Sequence, residues 1–311
     1  MSDAGLGCPD WPGCYGQLIV PDHEQEILSV DEAYPDRPLE HGKAWKEMIH
    51  RYAAGTLGLV ILALAILAVK NRKQSGQAVI LPIALLFLVI FQALLGMWTV
   101  TLLLKPVFVM GHLLGGMAIL SLLYWLLIRQ TGDSKNPGQG HKQLFPWVVA
   151  GLFVLLIQIS LGGWTSANYA AMVCPDFPTC QGKWWPQMDF TEGFTLWRGL
   201  GVDYEGGVLA GDARTAIHLS HRLGALLTLS VVGAVAIRAI RDKNQVISRT
   251  GIVLLLVLLT QIGLGITNIV RLLPLPVAVA HNGVAAILLL CLVTLLHHAV
   301  PRHINSGESI G

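Results

Sequence analysis

Charge is what this chain has least of. Asp, Glu, Lys and Arg make up 13% of its 311 residues, roughly half the share found in soluble domains. That deficit excludes an ordinary soluble globule. A net charge of +2 without a basic patch excludes a nucleic-acid partner. Flavin, nicotinamide and iron–sulfur motifs are also missing. The first residues are polar and reach Cys8 without an apolar stretch, which does not read as a cleavable signal peptide.

What the chain has instead is apolar length. Hydrophobic residues reach 53% and mean hydropathy is +0.59. Charge falls in short clusters between runs of about 20 residues, the length that crosses a bilayer as a helix. Seven such runs are read, over 48–70, 79–101, 107–129, 144–165, 216–239, 249–270 and 277–298. Each calls for helix, because an open strand cannot satisfy its backbone in lipid. The expected fold class is an all-α integral membrane protein. Lys70, Arg72, Lys73, Arg129, Lys135, Lys142, Arg238, Arg241, Lys243 and Arg249 fall on one set of connections, and only Lys105 and Arg271 on the opposite short loops. Basic loops stay inside, so segments 1–47 and 166–215 are expected outside and the tail with Arg302 in the cytoplasm.

The chain also repeats itself. CPDWPGC, EMIHR and GHLLGG in the first half answer CPDFPTC, HLSHR and AHNG in the second. His50 and His112 are 62 residues apart, and their counterparts His221 and His281 are 60 apart. The repeat divides the chain into a half-bundle over 1–130, a cytoplasmic linker over 131–143, a second half-bundle over 144–300 and a tail over 301–311. It also implies a four-plus-four helix plan whose first helix is missing ahead of Cys8. A further signature recurs in three helices: Gln92-x-x-Leu95-Gly96, Gln158-x-x-Leu161-Gly162 and Gln261-x-x-Leu264-Gly265. Its small residues suit close helix packing, and its amides suit either interhelical glue or a bound polar group.

Ionisable residues inside membrane helices are costly, and so are functional candidates. All four repeated histidines sit near outer helix ends. Two on facing helices can place imidazoles on either side of one metal. Heme iron takes axial His ligands, whereas a closed zinc site wants four ligands. Copper stays open as an alternative, without a Met-rich motif to support it. Heme is therefore the expected metal group, with His297, His298 and His303 interfacial and His23, His41 and His141 in loops. Arg51 and Arg222 follow the first ligand of each pair and are candidates for heme propionate contacts or for anchoring to lipid phosphates. One turn before His50 stands Glu47, and one turn before His221 stands His218. A carboxylate there can take protons or stabilise a developing cation; it can equally be a solvated residue favourable to the helix dipole. The cysteines are expected to pair as Cys8–Cys14 and Cys174–Cys180, since Pro and Asp favour tight turns and the outer side is oxidising. Either a structural or a redox-active role fits that pairing. Cys291 reads as a small buried apolar residue.

Over residues 8–295 these motifs together resemble the heme A synthase family. The resemblance implies eight helices in two halves and a reaction on the outer face. There, one ring methyl of heme O is oxidised to a formyl group with oxygen from water. It implies a low-spin heme b on His221 and His281, the heme O substrate on His50 and His112, and Glu47 as the catalytic carboxylate of the family's E-x-x-H motif. It further implies a bacterial cell-membrane location, cytochrome oxidase assembly, and dealings with heme O synthase. A quinone or other electron acceptor is left unnamed, and a homo-oligomer is left open. The sequence departs from the pattern at the absent first helix and at His218, which could exchange with His221 as ligand. The rival readings are a diheme b-type electron carrier and a heme-delivery assembly factor; Glu47 in one half only favours the enzyme.

Overall fold

The structure, a computed structural model, describes residues 6–74, 76–131 and 143–300. Lys135, His141, Lys142, Arg302 and His303 lie outside the described residues. Nine helices are formed among the described residues: α1 (Glu24–Ala33), α2 (His41–Lys70), α3 (Ile80–Thr101), α4 (Pro106–Thr131), α5 (Phe145–Ala167), α6 (Phe190–Gly193), α7 (Gly211–Ile240), α8 (Gln245–Val270) and α9 (Leu275–Ala299). Seven of them, α2 to α5 and α7 to α9, are long and apolar enough to cross a membrane. The protein is an all-α multi-pass membrane protein. Lipid-facing leucines and phenylalanines such as Leu59, Phe87 and Phe153 are correspondingly exposed.

The span boundaries match expectation within two residues except at three starts, of which that of α8 moves from 249 to Gln245. The runs expected from 48 and 216 begin as helix at His41 and Gly211, and α2 and α7 each reach 30 residues. At about 1.5 Å rise per residue, 30 residues are some 45 Å, against a hydrocarbon thickness of about 30 Å. Their polar first turns therefore project beyond the apolar layer. Those turns carry Glu47 and His218 toward the cysteine segments. Helix α1 is not among the expected elements, because its residues, EQEILSVDEA, form no apolar run of membrane-crossing length.

The chain forms two compact units, Met1–Leu122 with Gly162–His218, and Leu123–Leu161 with Leu219–Gly311. In the first, α2 packs on α3. Cys8, Cys14, Tyr15, Val20 and Val30 form one buried cluster with Ala44 and Met48 of α2. A second cluster joins Trp164 and Ala170 to Leu209, Ala213 and Ile217. Both cysteine loops and the pair His50 and His112 belong to this unit. In the second unit α8 packs on α9, Arg238 lies 3.9 Å from the centre of the Trp147 ring, and Tyr124 and Thr294 share a 2.8 Å hydroxyl hydrogen bond. Cys291 is buried there as a free thiol.

The turns after α3 and α8 repeat each other. Leu103 and Leu104 have φ of 53° and 58°, and Leu272 and Leu273 have φ of 54° and 62°. A left-handed turn brings the Leu104 and Leu273 amides back to Thr99 and Asn268 carbonyls at 2.8 and 2.7 Å. Carbonyls that a helix end leaves open are thereby satisfied. Beside the first of these turns Lys105 is 1% exposed. Its ammonium donates to the Gly199 carbonyl and lies 3.1 Å from the centre of the Trp197 ring.

Candidate active site

The first cysteine loop holds the site's carboxylate. Both disulfides form, Cys8–Cys14 at 2.02 Å and Cys174–Cys180 at 1.99 Å. Each loop is closed by a carboxylate that follows its first Cys-Pro. Asp10 accepts from the amides of Tyr15 at 2.6 Å and Gly16 at 2.8 Å. Asp176 accepts from those of Gln181 at 2.6 Å and Gly182 at 3.0 Å, and from the Thr179 hydroxyl at 2.5 Å. The bonds to Asp176 favour its charged form. The Thr179 hydroxyl first, then the loop amides, hold the Asp176 carboxyl down at about 2. Tyr15 and Gln181 sit at positive φ in equivalent places.

Arg51 ties the first loop to α2. Its Nη2 donates to the Asp10 carbonyl at 3.0 Å and to Glu47 Oε1 at 2.5 Å. Its Nη1 donates to the carbonyls of Pro12 at 3.2 Å and Gly13. The other Glu47 oxygen accepts the Cys8 amide at 3.1 Å. Side chains of Arg51 and Glu47 are only 12% and 10% exposed, so this ion pair is far better shielded from water than a surface pair. The arginine suggested for a propionate contact thus spends its donors on loop and carboxylate.

One turn along α2 from Glu47, the exposed ring of His50 stands 6.0 Å, centre to centre, from His112 of α4. Two imidazole–metal bonds of about 2.0 Å, with each nitrogen's distance to its ring centre added, give a separation of about 6 Å. The rings are therefore spaced for one metal ion between them. Among the described residues no group of three or more His, Cys, Asp or Glu is placed to hold a metal. Paired imidazoles without further protein donors suit the iron of a heme, whose macrocycle supplies the remaining ligands.

The repeated Gln-x-x-Leu-Gly signature turns out to face these histidines. Gln92 donates to the His112 carbonyl at 2.5 Å, and the Gln92 carbonyl meets His112 Nδ1 at 3.2 Å. In the second unit the Gln158 amide nitrogen lies 3.1 Å from both Nδ1 and the carbonyl of His221. Gln261 lies 3.2 Å from His281 Nε2. Sequence reading found the glutamines but not their partners. The overlooked signal was Gly115 and Gly224, each three residues after a histidine.

His218, the counterpart of Glu47, is 4% exposed. Its Nδ1 pairs with the Ala170 carbonyl at 2.9 Å, ahead of the second cysteine loop. Arg222 is partly buried on α7.

Comparison with known proteins agrees with this picture. Residues 1–293 match the COX15-CtaA family, described as cytochrome oxidase assembly protein. The chain is 44% identical over 296 residues to a heme A synthase of Shewanella oneidensis, covering 95% of this chain and 88% of that one. It is 27% identical over 314 residues to a heme A synthase of Caulobacter vibrioides, covering 93% and 86%, and 24% identical over 309 residues to one of Halalkalibacterium halodurans, covering 95% and 88%. With its paired imidazoles, its shielded carboxylate and a match along nearly its whole length, this chain belongs to the COX15-CtaA family of cytochrome oxidase assembly proteins.

Proposed function

We propose that this chain is a heme A synthase, a membrane oxidoreductase that converts one ring methyl of heme O to the formyl of heme A for cytochrome oxidase. The carrying observation is the Glu47 carboxylate, fixed between Arg51 and the Cys8 amide one turn from the His50 and His112 rings. Methyl to formyl with water as oxygen source releases protons and electrons in equal number. His50 and His112 are read as the residues that hold the substrate heme. Glu47 takes protons from the reacting carbon or stabilises positive charge there, a role that placement in a water-poor site strengthens. Arg51 and the Cys8 amide hold that carboxylate in place, so no reorganisation is needed when the charge develops.

His221 and His281 are read as the ligands of a resident heme b. Three buried glutamine oxygens without hydrogen-bond partners, on Gln92, Gln158 and Gln261, support polar histidine surroundings built for a bound group. When bound, heme b supplies one-electron transfer away from the substrate. His221 is preferred to His218 as ligand, because it stands in the place of His50 in the repeat. On this reading the half-bundles over 1–130 and 144–300 are the substrate and electron-transfer halves. The basic connections set the cysteine loops outside the bacterial cell membrane and the C-terminus within. The electron acceptor lies outside the chain, and heme O synthase is the expected donor of substrate.

The test is heme extraction from membranes that express the chain together with a heme O source. Heme A should appear, and Glu47→Gln should stop its formation while the heme b spectrum persists. Recovery of unmodified heme alone from the unsubstituted protein would leave the diheme electron carrier as the better reading.

A further inference from the structure

Three of the histidines read as iron ligands meet a glutamine from the preceding long helix: His112 with Gln92, His221 with Gln158, and His281 with Gln261. We propose that these glutamines are positioning residues that set the orientation of the imidazoles and the electron density they offer to iron. The inference rests on the ligand reading above and goes beyond it.

The packing is specific to this purpose. An added Cβ at Gly115 or Gly224 would lie 2.0 or 2.2 Å from the Oε1 of Gln92 or Gln158. The amide therefore lies on bare backbone one turn beyond the histidine, where no other residue type fits. From the other side, a Cβ at Gly96 or Gly265 would lie 3.1 or 3.3 Å from Cε1 of His112 or His281. The glycine of the signature thus lets the ring itself approach the helix that bears the glutamine. The His281 ring is thus held between the Gln261 amide and a bare turn, the His112 ring lies on a bare turn, and the His221 ring meets the Gln158 amide.

The chemistry follows from the orphaned atoms. The Oε1 atoms of all three glutamines are buried without a hydrogen-bond partner, which is rare in a completed site. An imidazole bound to iron through one nitrogen keeps its proton on the other and offers that N–H to an acceptor. At His221 a half-turn of the Gln158 amide brings its oxygen to Nδ1 at the cost of the amide's bond to the His221 carbonyl; the two ends of the amide differ in bonding rather than shape. At His112 the Gln92 main-chain carbonyl already faces Nδ1. Such an acceptor makes the imidazole a stronger donor to iron and favours the ferric state. The contrary reading is helix–helix glue, which has no reason to move the properties of the iron.

The experiment uses the heme-loaded full chain with Gln158→Leu, Gln261→Leu, Gln158→Glu and Gly224→Ala. Heme retention, the ferric low-spin resonance and the midpoint potential are read for each. The leucine variants should lose heme about 10- to 100-fold more readily, the usual cost of removing such a partner, with shifted resonance and raised potential. Gly224→Ala, which displaces Gln158 without removing it, should move the same way. Gln158→Glu should keep heme and lower the potential, a sign that misfolding cannot produce. Unchanged resonance and potential in the leucine and glutamate variants would overturn the proposal and leave glue. If His221→Ala and His281→Ala both keep the low-spin resonance, the ligand reading fails and takes the inference with it.

Discussion

In the first cysteine loop Asp10 gathers the amides of Tyr15 and Gly16, and in the second Asp176 gathers those of Gln181 and Gly182. Up to that point the loops are copies. They part where each meets the helix that follows. The first is fastened through Arg51 to a carboxylate, with three loop carbonyls and Glu47 around one guanidinium. In the second copy the residue in Glu47's place, His218, pairs with the Ala170 carbonyl. A duplicated clasp has kept its construction in both copies, but the first sets a carboxylate one turn before its histidine where the second sets an imidazole.

The comparison breaks most sharply at the two equivalent side chains. Glu47→Gln should lower the rate of heme A formation by about 10²- to 10⁴-fold, the range for a lost acid–base group, whereas His218→Gln should change it only a few-fold. Equal losses would show that the copies do not differ in chemistry. Next in size is the fastening itself. Arg51→Ala should cost roughly 10- to 100-fold in turnover, as for other lost positioning partners, with KM little moved, and Arg51→Lys should recover part of it through a single donor. A loss confined to KM would instead place Arg51 on the substrate.

Smaller still is the effect of opening the disulfides. By loop length each contributes about 2 kcal/mol, so both Cys→Ser pairs should lower the melting temperature alike. Only Cys8→Ser with Cys14→Ser should also slow heme A formation, because only that loop touches Glu47. The subtlest contrast is in acid. The Asp176 carboxyl sits at about 2, below its ordinary value of 3.8. Its support of the second loop is therefore fully present above the ordinary range and lost as pH falls through about 2. Hydrogen exchange at the Gln181 and Gly182 amides should quicken over that window, and Asp176→Asn should abolish the step.

Apolar runs and the repeat make much of this legible before any coordinates. The spans follow from composition, since lipid permits little else. The closeness of His50 and His112 follows from their matching depth on helices that enter from the same side. The reach of α2 and α7 was hidden because their first turns, HGKAWKE and GDARTAI, are too polar to join an apolar run. The contacts of Arg51 were hidden for another reason: its acceptors are main-chain carbonyls, which carry no residue signature. The pairing of Gln158 with His221 joins positions 63 apart, and no local period relates them. Only the glycine opposite hints at it.

Lys105 carries a consequence for how the molecule is made. Its partners, Gly199 and the Trp197 ring, follow it by more than 90 residues. When the α3–α4 hairpin leaves the ribosome, this ammonium has nothing to shelter it and counts as an ordinary loop charge in choosing the direction of insertion. It disappears from the surface only after the segment around Trp197 has been synthesised and has settled over it. The same cation is thus read twice, first as a topological signal in an unfinished chain and later as the peg on which a late segment is hung. A nascent chain halted before Trp197 should leave Lys105 open to an amine-labelling reagent, and the finished protein should protect it.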